Sequence, residues 1–308
     1  MKKRYPFILL LLVLAVSVSQ NSSALSVSAT SDAHVLVSNI LGPGMSVVGT
    51  PTYGGAPDQS ATFTGGLDSG VGVDTGILMT TGNAHDVPGV NNNGELPETQ
   101  GSKVMNAEDI STDLGREGDS DLDGIAGYTT FDAAVLEFTF QFGDGSVGGD
   151  LYFDFVFASE EYVNFIDSQY NDAFGFFVDG ENIALVPSTD TAVTVNNVNT
   201  VENPGYYRNN VENTDGILNL DLDLSFDGLT TVMAARMLGL TPGTHSLKLA
   251  IADASDGLLD SGVFIQAGTE AFTLTSAPTH PVPEPATMLL LGSGILGLAG
   301  FRRKWKQK

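Results

Sequence analysis

The 308-residue chain predicts an all-β fold, a single β-sandwich of jelly-roll type, and three observations carry that expectation. Between residues 35 and 272 apolar side chains recur at every second position, the period of a strand with one face turned inward. Thirty-six glycines cut these runs into short lengths joined by turns. Long patterns of helical period are missing, so the apolar matter (42% of residues, 17 of them Phe) has stacked sheets as its natural core.

The clearest runs are 135–142, where Leu136, Phe138, Phe140 and Phe142 share a face, and 217–226, where Leu218, Leu220, Leu222, Leu224 and Phe226 do. The first half of 151–162 is apolar on both faces, as a central strand would be. Further strands are expected over 46–53, 61–63, 76–80, 174–178, 191–195, 230–236, 245–252 and 263–272. Residues 83–130, rich in Asn, Gly and Asp, form an irregular acidic insertion. The sandwich domain is set at 25–277, as one unit without internal repeats.

Both ends differ from this middle. Lys2, Lys3 and Arg4 precede an apolar run of about 12 residues and a small, polar stretch ending at Ala24. That is the three-part form of a secretory signal peptide over 1–24, too short for a span of about 20 residues. At the other end come a proline-rich linker at 278–286, an apolar segment at 287–301 and a basic tail at 302–308. Such a segment halts in the membrane with its cations on the cytoplasmic side, either as a permanent anchor or as a removable tail. Gly292, Gly294 and Gly297 spell a dinucleotide-binding pattern but lie inside this apolar run, with no preceding strand, so they carry no such meaning.

Pro283-Glu284-Pro285, the apolar run and Arg302-Arg303 together resemble the PEP-CTERM sorting signal. The resemblance implies an exported protein of a Gram-negative, exopolysaccharide-making bacterium, processed at the envelope by an exosortase. It covers only about the last 28 residues and concerns sorting, not activity.

Charge and composition narrow the function classes. Eight of the 13 basic residues lie in the two end segments, whereas only Glu284 of the 37 acids does. The domain is left with five cations, Lys103, Arg116, Arg208, Arg236 and Lys248, against 36 acids. A nucleic-acid binder needs a basic footprint, and docking on anionic lipid needs basic clusters; neither is present. The absence of cysteine excludes disulfides, zinc–thiolate sites and thiol catalysis.

Several acids fall on faces that should be core. Extending Phe153, Phe155 and Phe157 by twos reaches Ser159 and Glu161, and extending Leu247, Leu249 and Ile251 reaches Asp253. Counting back from Phe174 reaches Asp172, and from Phe264 reaches Gly262 and Asp260. An unpaired buried charge costs several kcal/mol, and five cations are too few to pair with them. A calcium ion, which takes six to eight oxygens, is the expected resolution, with Asn171 and Asp256 completing the shell around Glu161, Asp172, Asp253 and Asp260. The alternative is that the strand ends emerge into water. A second, weaker calcium candidate is Asp119-Ser120-Asp121-Leu122-Asp123-Gly124, the first half of an EF-hand loop, with Asp132 as a helping ligand. Thr130 stands where the bidentate Glu belongs, so an Asp-rich turn is the competing reading.

Phe157-Ala158-Ser159-Glu160-Glu161-Tyr162, Asn171-Asp172-Ala173-Phe174 and the stretch from Ile251 to Phe264 resemble the choice-of-anchor L domain, as do Asp119 to Leu122 and Asp132 to Phe138. This resemblance spans roughly 35–272 and implies a module of bacterial surface proteins, without supplying a catalytic residue. Enzyme signatures are absent: no GxSxG, HExxH or phosphate loop occurs, and His34, His85, His245 and His280 are solitary. The preferred expectation is a non-catalytic, calcium-stabilised surface module that meets extracellular polysaccharide or another surface protein, with Tyr206-Tyr207 beside Arg208 as possible sugar-stacking groups. The alternative is a carboxylate-based glycoside hydrolase, built on Glu161 with Asp172 or Asp253.

Overall fold

The computed structural model describes residues 25–89, 110–211, 217–266, 268 and 271–273. The signal peptide at 1–24, residues 90–109 of the insertion, and the linker, apolar segment and basic tail at 278–308 lie outside the described residues. So do Pro283, Glu284, Pro285, Arg302 and Arg303.

Two antiparallel sheets stack as a sandwich. The larger, nine-stranded sheet contains β1 (Ser26–Ala29), β3 (Ser60–Thr64), β4 (Gly76–Thr80), β6 (Gly149–Ser159), β9 (Tyr207–Asn209), β10 (Gly228–Thr230), β11 (Met233–Leu240), β13 (Ser261–Gln266) and β14 (Ala271–Thr273). Its order is β1-β3-β4-β13-β6-β10-β9, with β11 and β14 also pairing with β6. The smaller sheet runs β2 (Met45–Gly54), β5 (Thr130–Phe142), β12 (Thr244–Ala254), β7 (Ala173–Val178) and β8 (Glu181–Asn182).

Period-two patterning explains the layering. Phe153, Phe155 and Phe157 of β6 face the smaller sheet, where Phe153 meets Phe176 at 4.7 Å and Phe155 meets Phe174 at 5.3 Å between ring centroids. Val156 and Ala158, which follow Phe155 and Phe157, enter a second core on the outer face with Phe226, Leu224 and Phe264. β6 is therefore covered on both faces only in its second half; in the first, expected to be apolar on both faces, Asp154 is exposed and Tyr152 half-buried because no layer covers them.

Two helices, neither expected, complete the packing among the described residues. α1 (Ala33–Ile40) starts at Asp32, whose Oδ1 accepts from His34 N at 2.9 Å, and it buries Leu36, Val37 and Ile40 in the inter-sheet core. α2 (Ser120–Ala126) starts at Asp119, ends at Gly127 with φ of 78°, and lays Leu122 and Ala126 on the outer face of the smaller sheet.

Two expected strands did not form. Residues 217–226 contain only an isolated bridge, Leu224 with Pro88. The Asn210 amide takes the place of a neighbouring strand there: its Nδ2 donates to the Leu224 and Phe226 carbonyls, and its Oδ1 accepts from Leu222 N. Residues 191–195 likewise hold two isolated bridges, Ala192 to Leu185 and Thr194 to Ala173, while Val193 and Val195 are buried between the sheets. The run expected over 263–272 divides into β13 and β14, which pair with different parts of β6.

The strand registers also define two ends. Ser159, Thr80, Ser261, Ala254 and Thr130 gather at one, the rim. Gly149, where it pairs with Thr273, marks the far end.

Candidate functional site

The rim is where the anomalous acids were expected, and there they are buried. Glu161, Asp172, Asp253 and Asp260 are each at most 2% exposed, so these strand ends do not emerge into water. Asp253 continues the inward series of Leu247, Leu249 and Ile251, one step past a register shift between Ile251 and Asp253. Asp260 leads into β13 and Asp172 into β7. A direct link joins the sheets here: Ser261 Oγ donates to Asp172 Oδ2 at 2.6 Å, while Ala254 N donates to Asp172 Oδ1 at 2.8 Å.

A further acid, read from sequence only as a helper of the half EF-hand loop, belongs to this cluster instead. Asp132 is fully buried, and its backbone is left-handed with φ of 49°. The signal was present: counting back by twos from Phe142 through Phe138, Leu136 and Ala134 reaches Asp132, but the run was begun at Val135. Its carboxylate accepts from Leu114 N at 2.8 Å and Arg116 N at 2.6 Å. Gln59, also fully buried, donates through Nε2 to the carbonyls of Asp132 and Thr81.

Hydrogen bonding leaves part of the cluster unsatisfied. Asp260 Oδ1 accepts from Thr112 N at 2.8 Å, but its Oδ2 is buried without a partner, packed so closely on Gly82 that a Cβ there would overlap it. Both oxygens of Asp253 are buried without a hydrogen bond. The Thr81 hydroxyl, whose oxygen accepts from Ser261 N at 2.9 Å, stands near enough to lower the Asp253 pKa somewhat, but it forms no well-aligned hydrogen bond to either oxygen. The ion pairs found among the described residues join His245 to Asp179 and Lys248 to Asp119 and Asp121, and none of these touches Asp132, Asp172, Asp253 or Asp260.

The electrostatic result follows from burial first and like charge second. Desolvation pushes the Asp172 carboxyl up to about 7, against the pull of Ser261 and Ala254, with Asp256 and Asp260 adding to the rise. Desolvation, with Asp172 and Asp260 adding to it, pushes Asp253 well above the usual carboxylate range. Asp260 rises to about 6, again mainly by burial. Such acids remain folded in one of two ways: they keep protons near neutrality, or a cation takes the protons' place.

The remaining expected ligands are placed differently. Asn171 uses both ends of its amide, donating to Ala126 O at 2.9 Å and accepting from Asn196 N at 2.8 Å. Asp256 is only half-buried and turns one oxygen to Leu258 N. Among the described residues no three His, Asp or Glu side chains form a ready-made metal shell, so an ion would have to draw Asp172, Asp253 and Asp260 inward.

The half EF-hand sequence has other work. Asp119 caps α2, accepting from Asp121 N at 3.0 Å and Leu122 N at 3.4 Å. Lys248 Nζ bridges Asp119 at 2.6 Å and Asp121 at 2.8 Å. Asp123 Oδ1 accepts from Thr130 N at 2.7 Å and Thr130 Oγ1 at 2.8 Å. An ammonium group thus already sits where a calcium would, and the loop is a helix start. Nor is Arg208 available to a sugar. Its guanidinium donates to the Gly70, Val71 and Thr230 carbonyls, while Tyr206 and Tyr207 pack on the sandwich edge.

The fold is that of a β-sandwich module, and two family matches mark it as exported and surface-sorted. The PEP-CTERM protein-sorting motif matches residues 281–304 and implies processing by an exosortase. The choice-of-anchor L domain model matches residues 23–271, and the chain belongs to that family. No curated protein and no solved structure matches the chain.

Proposed function

We propose that the domain is a non-catalytic surface module whose rim acids, Asp172, Asp253 and Asp260, hold a calcium ion that stabilises the sandwich outside the cell. The observation that carries this reading is Asp253, a fully buried carboxylate with neither oxygen in a well-formed hydrogen bond, facing two more acids with only the Thr81 hydroxyl nearby and paired with no cation. Calcium suits an all-oxygen ligand set and the roughly millimolar level met by extracellular modules. A calcium ion would neutralise the cluster and add oxygen ligation that the protein alone leaves unmade.

Burial also favours a structural over a hydrolytic role. A glycosidase must bring a sugar chain between its two carboxylates, and acids with 0–2% exposure offer no such opening. The sorting signal supports export by the Sec route to a Gram-negative envelope, where the module meets extracellular polysaccharide. Co-sedimentation with the host's own polymer, compared with the chain lacking residues 283–308, tests that association.

Thermal melting of residues 25–281 with and without calcium tests the ion. Raised acids destabilise the folded state as pH climbs: for Asp172 the cost is absent below about 3.8 and fully present above about 7. Without calcium, stability therefore falls between those values; with calcium, the fall is expected to vanish near neutrality and Tm to rise. Asp253→Asn should remove the response to calcium. A wild-type Tm unmoved by calcium or chelator would end the proposal.

A further inference from the structure

The acids of the rim have no solvent exposure, so an ion reaches them only if part of the protein moves. The segment placed to move is 110–117, the described end of the insertion. It lies across the rim as a strap, and Asp113, Gly115, Arg116 and Glu117 are exposed along it. Every second backbone N–H of the strap ends on a cluster carboxylate: Thr112 N on Asp260 Oδ1 at 2.8 Å, Leu114 N on Asp132 Oδ2 at 2.8 Å, Arg116 N on Asp132 Oδ1 at 2.6 Å. Ile110 N reaches Glu160 Oε1 at 3.3 Å, and Asp260 N returns to Ile110 O at 2.9 Å. Beyond Arg116, Glu117 bridges to Phe131 at the start of β5, which makes a natural hinge.

We propose that the strap 110–117 is the gate of the calcium site, closed when the ion is bound and released when it leaves; this rests on the calcium reading above. The mechanism lies in unsatisfied polar groups. With an ion bound, the buried oxygens gain a partner and the strap's N–H groups stay on Asp132 and Asp260. Without it, the buried Asp253 oxygens and Asp260 Oδ2 are left unsatisfied, which favours hydration of the cluster, and hydration requires the strap to lift. The same lifting admits the next ion. The exposed outer surface of the strap thereby becomes calcium-dependent, and its accessibility reports the calcium level outside the cell.

Arg116 supplies the readout, because it places a trypsin site within the strap. The full-length chain, purified in detergent, is digested with trypsin in calcium at ten times the Kd measured by calorimetry, and again in chelator. Cleavage after Arg116 is followed by mass, with Arg116→Gln confirming the position. If opening must release the ion, the open population falls by about tenfold at that concentration, and cleavage slows in proportion. Calorimetric binding with equal cleavage rates in both buffers overturns the gate and leaves the ion site standing. An absence of binding heat, with equal rates, overturns both. Asp260→Asn, which weakens the ion's hold while keeping an acceptor for Thr112 N, is expected to abolish the calcium protection.

Discussion

Both ring nitrogens of His245 face acceptors. Nδ1 stands 2.7 Å from Asp179 Oδ2 and Nε2 stands 2.9 Å from Thr241 O, so only the doubly protonated ring satisfies both. The Asp179 carboxylate and the Thr241 carbonyl outweigh the cost of partial burial and raise the His245 pKa above its ordinary 6.5. Asp179 in turn is held below 3.8, against partial burial, by His245 and by Ser246 N and Oγ. The pair ties the β7–β8 turn to the β11–β12 turn. Its sign is that of a raised histidine: the stabilisation is complete below about 6.5 and is lost as pH rises through the higher folded value. Tm measured in calcium-saturated buffer should therefore decline on the alkaline side of 6.5, and His245→Gln should flatten that decline. An unchanged slope in the variant would show that the ring is not charged. The sequence marks His245 only as a solitary histidine, because its partners lie 66 residues away across a turn and four residues away in backbone. Asp132 was legible by register alone, and was lost by starting its strand five residues late.

At the scale of elements, strands with covered faces were readable and those depending on side-chain scaffolding were not. β5, β6, β7 and β12 were readable because each has a strand on either side and a core to face: β5 alternates over much of its length, while β7 and the second half of β6 are buried on both faces. Residues 217–226 alternate equally well in sequence, yet Leu218 is 75% exposed and the Asn210 amide occupies the backbone groups a strand would need. Alternation reports a side-chain pattern; the ladder also needs a neighbour, which one sequence does not reveal. α2 was obscured for another reason. Asp at an N-cap, in the first helical turn and in a calcium loop look alike, and only Lys248, 129 residues away, decides between them. Asp119→Ala removes both the cap and the partner of a half-buried lysine, and should lower stability by about 1–2 kcal/mol. Calcium affinity should not change, since α2 covers the outer face of the smaller sheet. A loss of affinity in that variant would restore the half EF-hand as a ligand loop.

At the scale of the molecule, the two ends of the sandwich are not equivalent. β14 ends where Thr273 pairs with Gly149, at the far end, whereas β1 begins nearer the middle, where Ser26 pairs with Thr64. The last described strand thus runs out of the domain opposite the acid rim. The 11 residues of β6 set the two ends about 35 Å apart at 3.3 Å per residue. The proline-rich composition that follows suits a semi-rigid spacer rather than a wrapping tether. If residues 287–301 are held in lipid, as the sorting signal suggests, such a spacer would set the far end toward the membrane and the rim, with its strap, outward. An ion site at the rim would then sample the medium rather than the membrane surface. The lack of cysteine makes the arrangement measurable, because one introduced thiol is then the only one. Val147→Cys labels the far end, between β5 and β6, and Gln169→Cys labels the rim beside Asn171. With the full-length chain in vesicles carrying a lipid-bound quencher, a dye at position 147 should be quenched more strongly than one at 169. Equal quenching at the two positions would mean that the domain tumbles freely on its linker, and the rim would then have no outward preference.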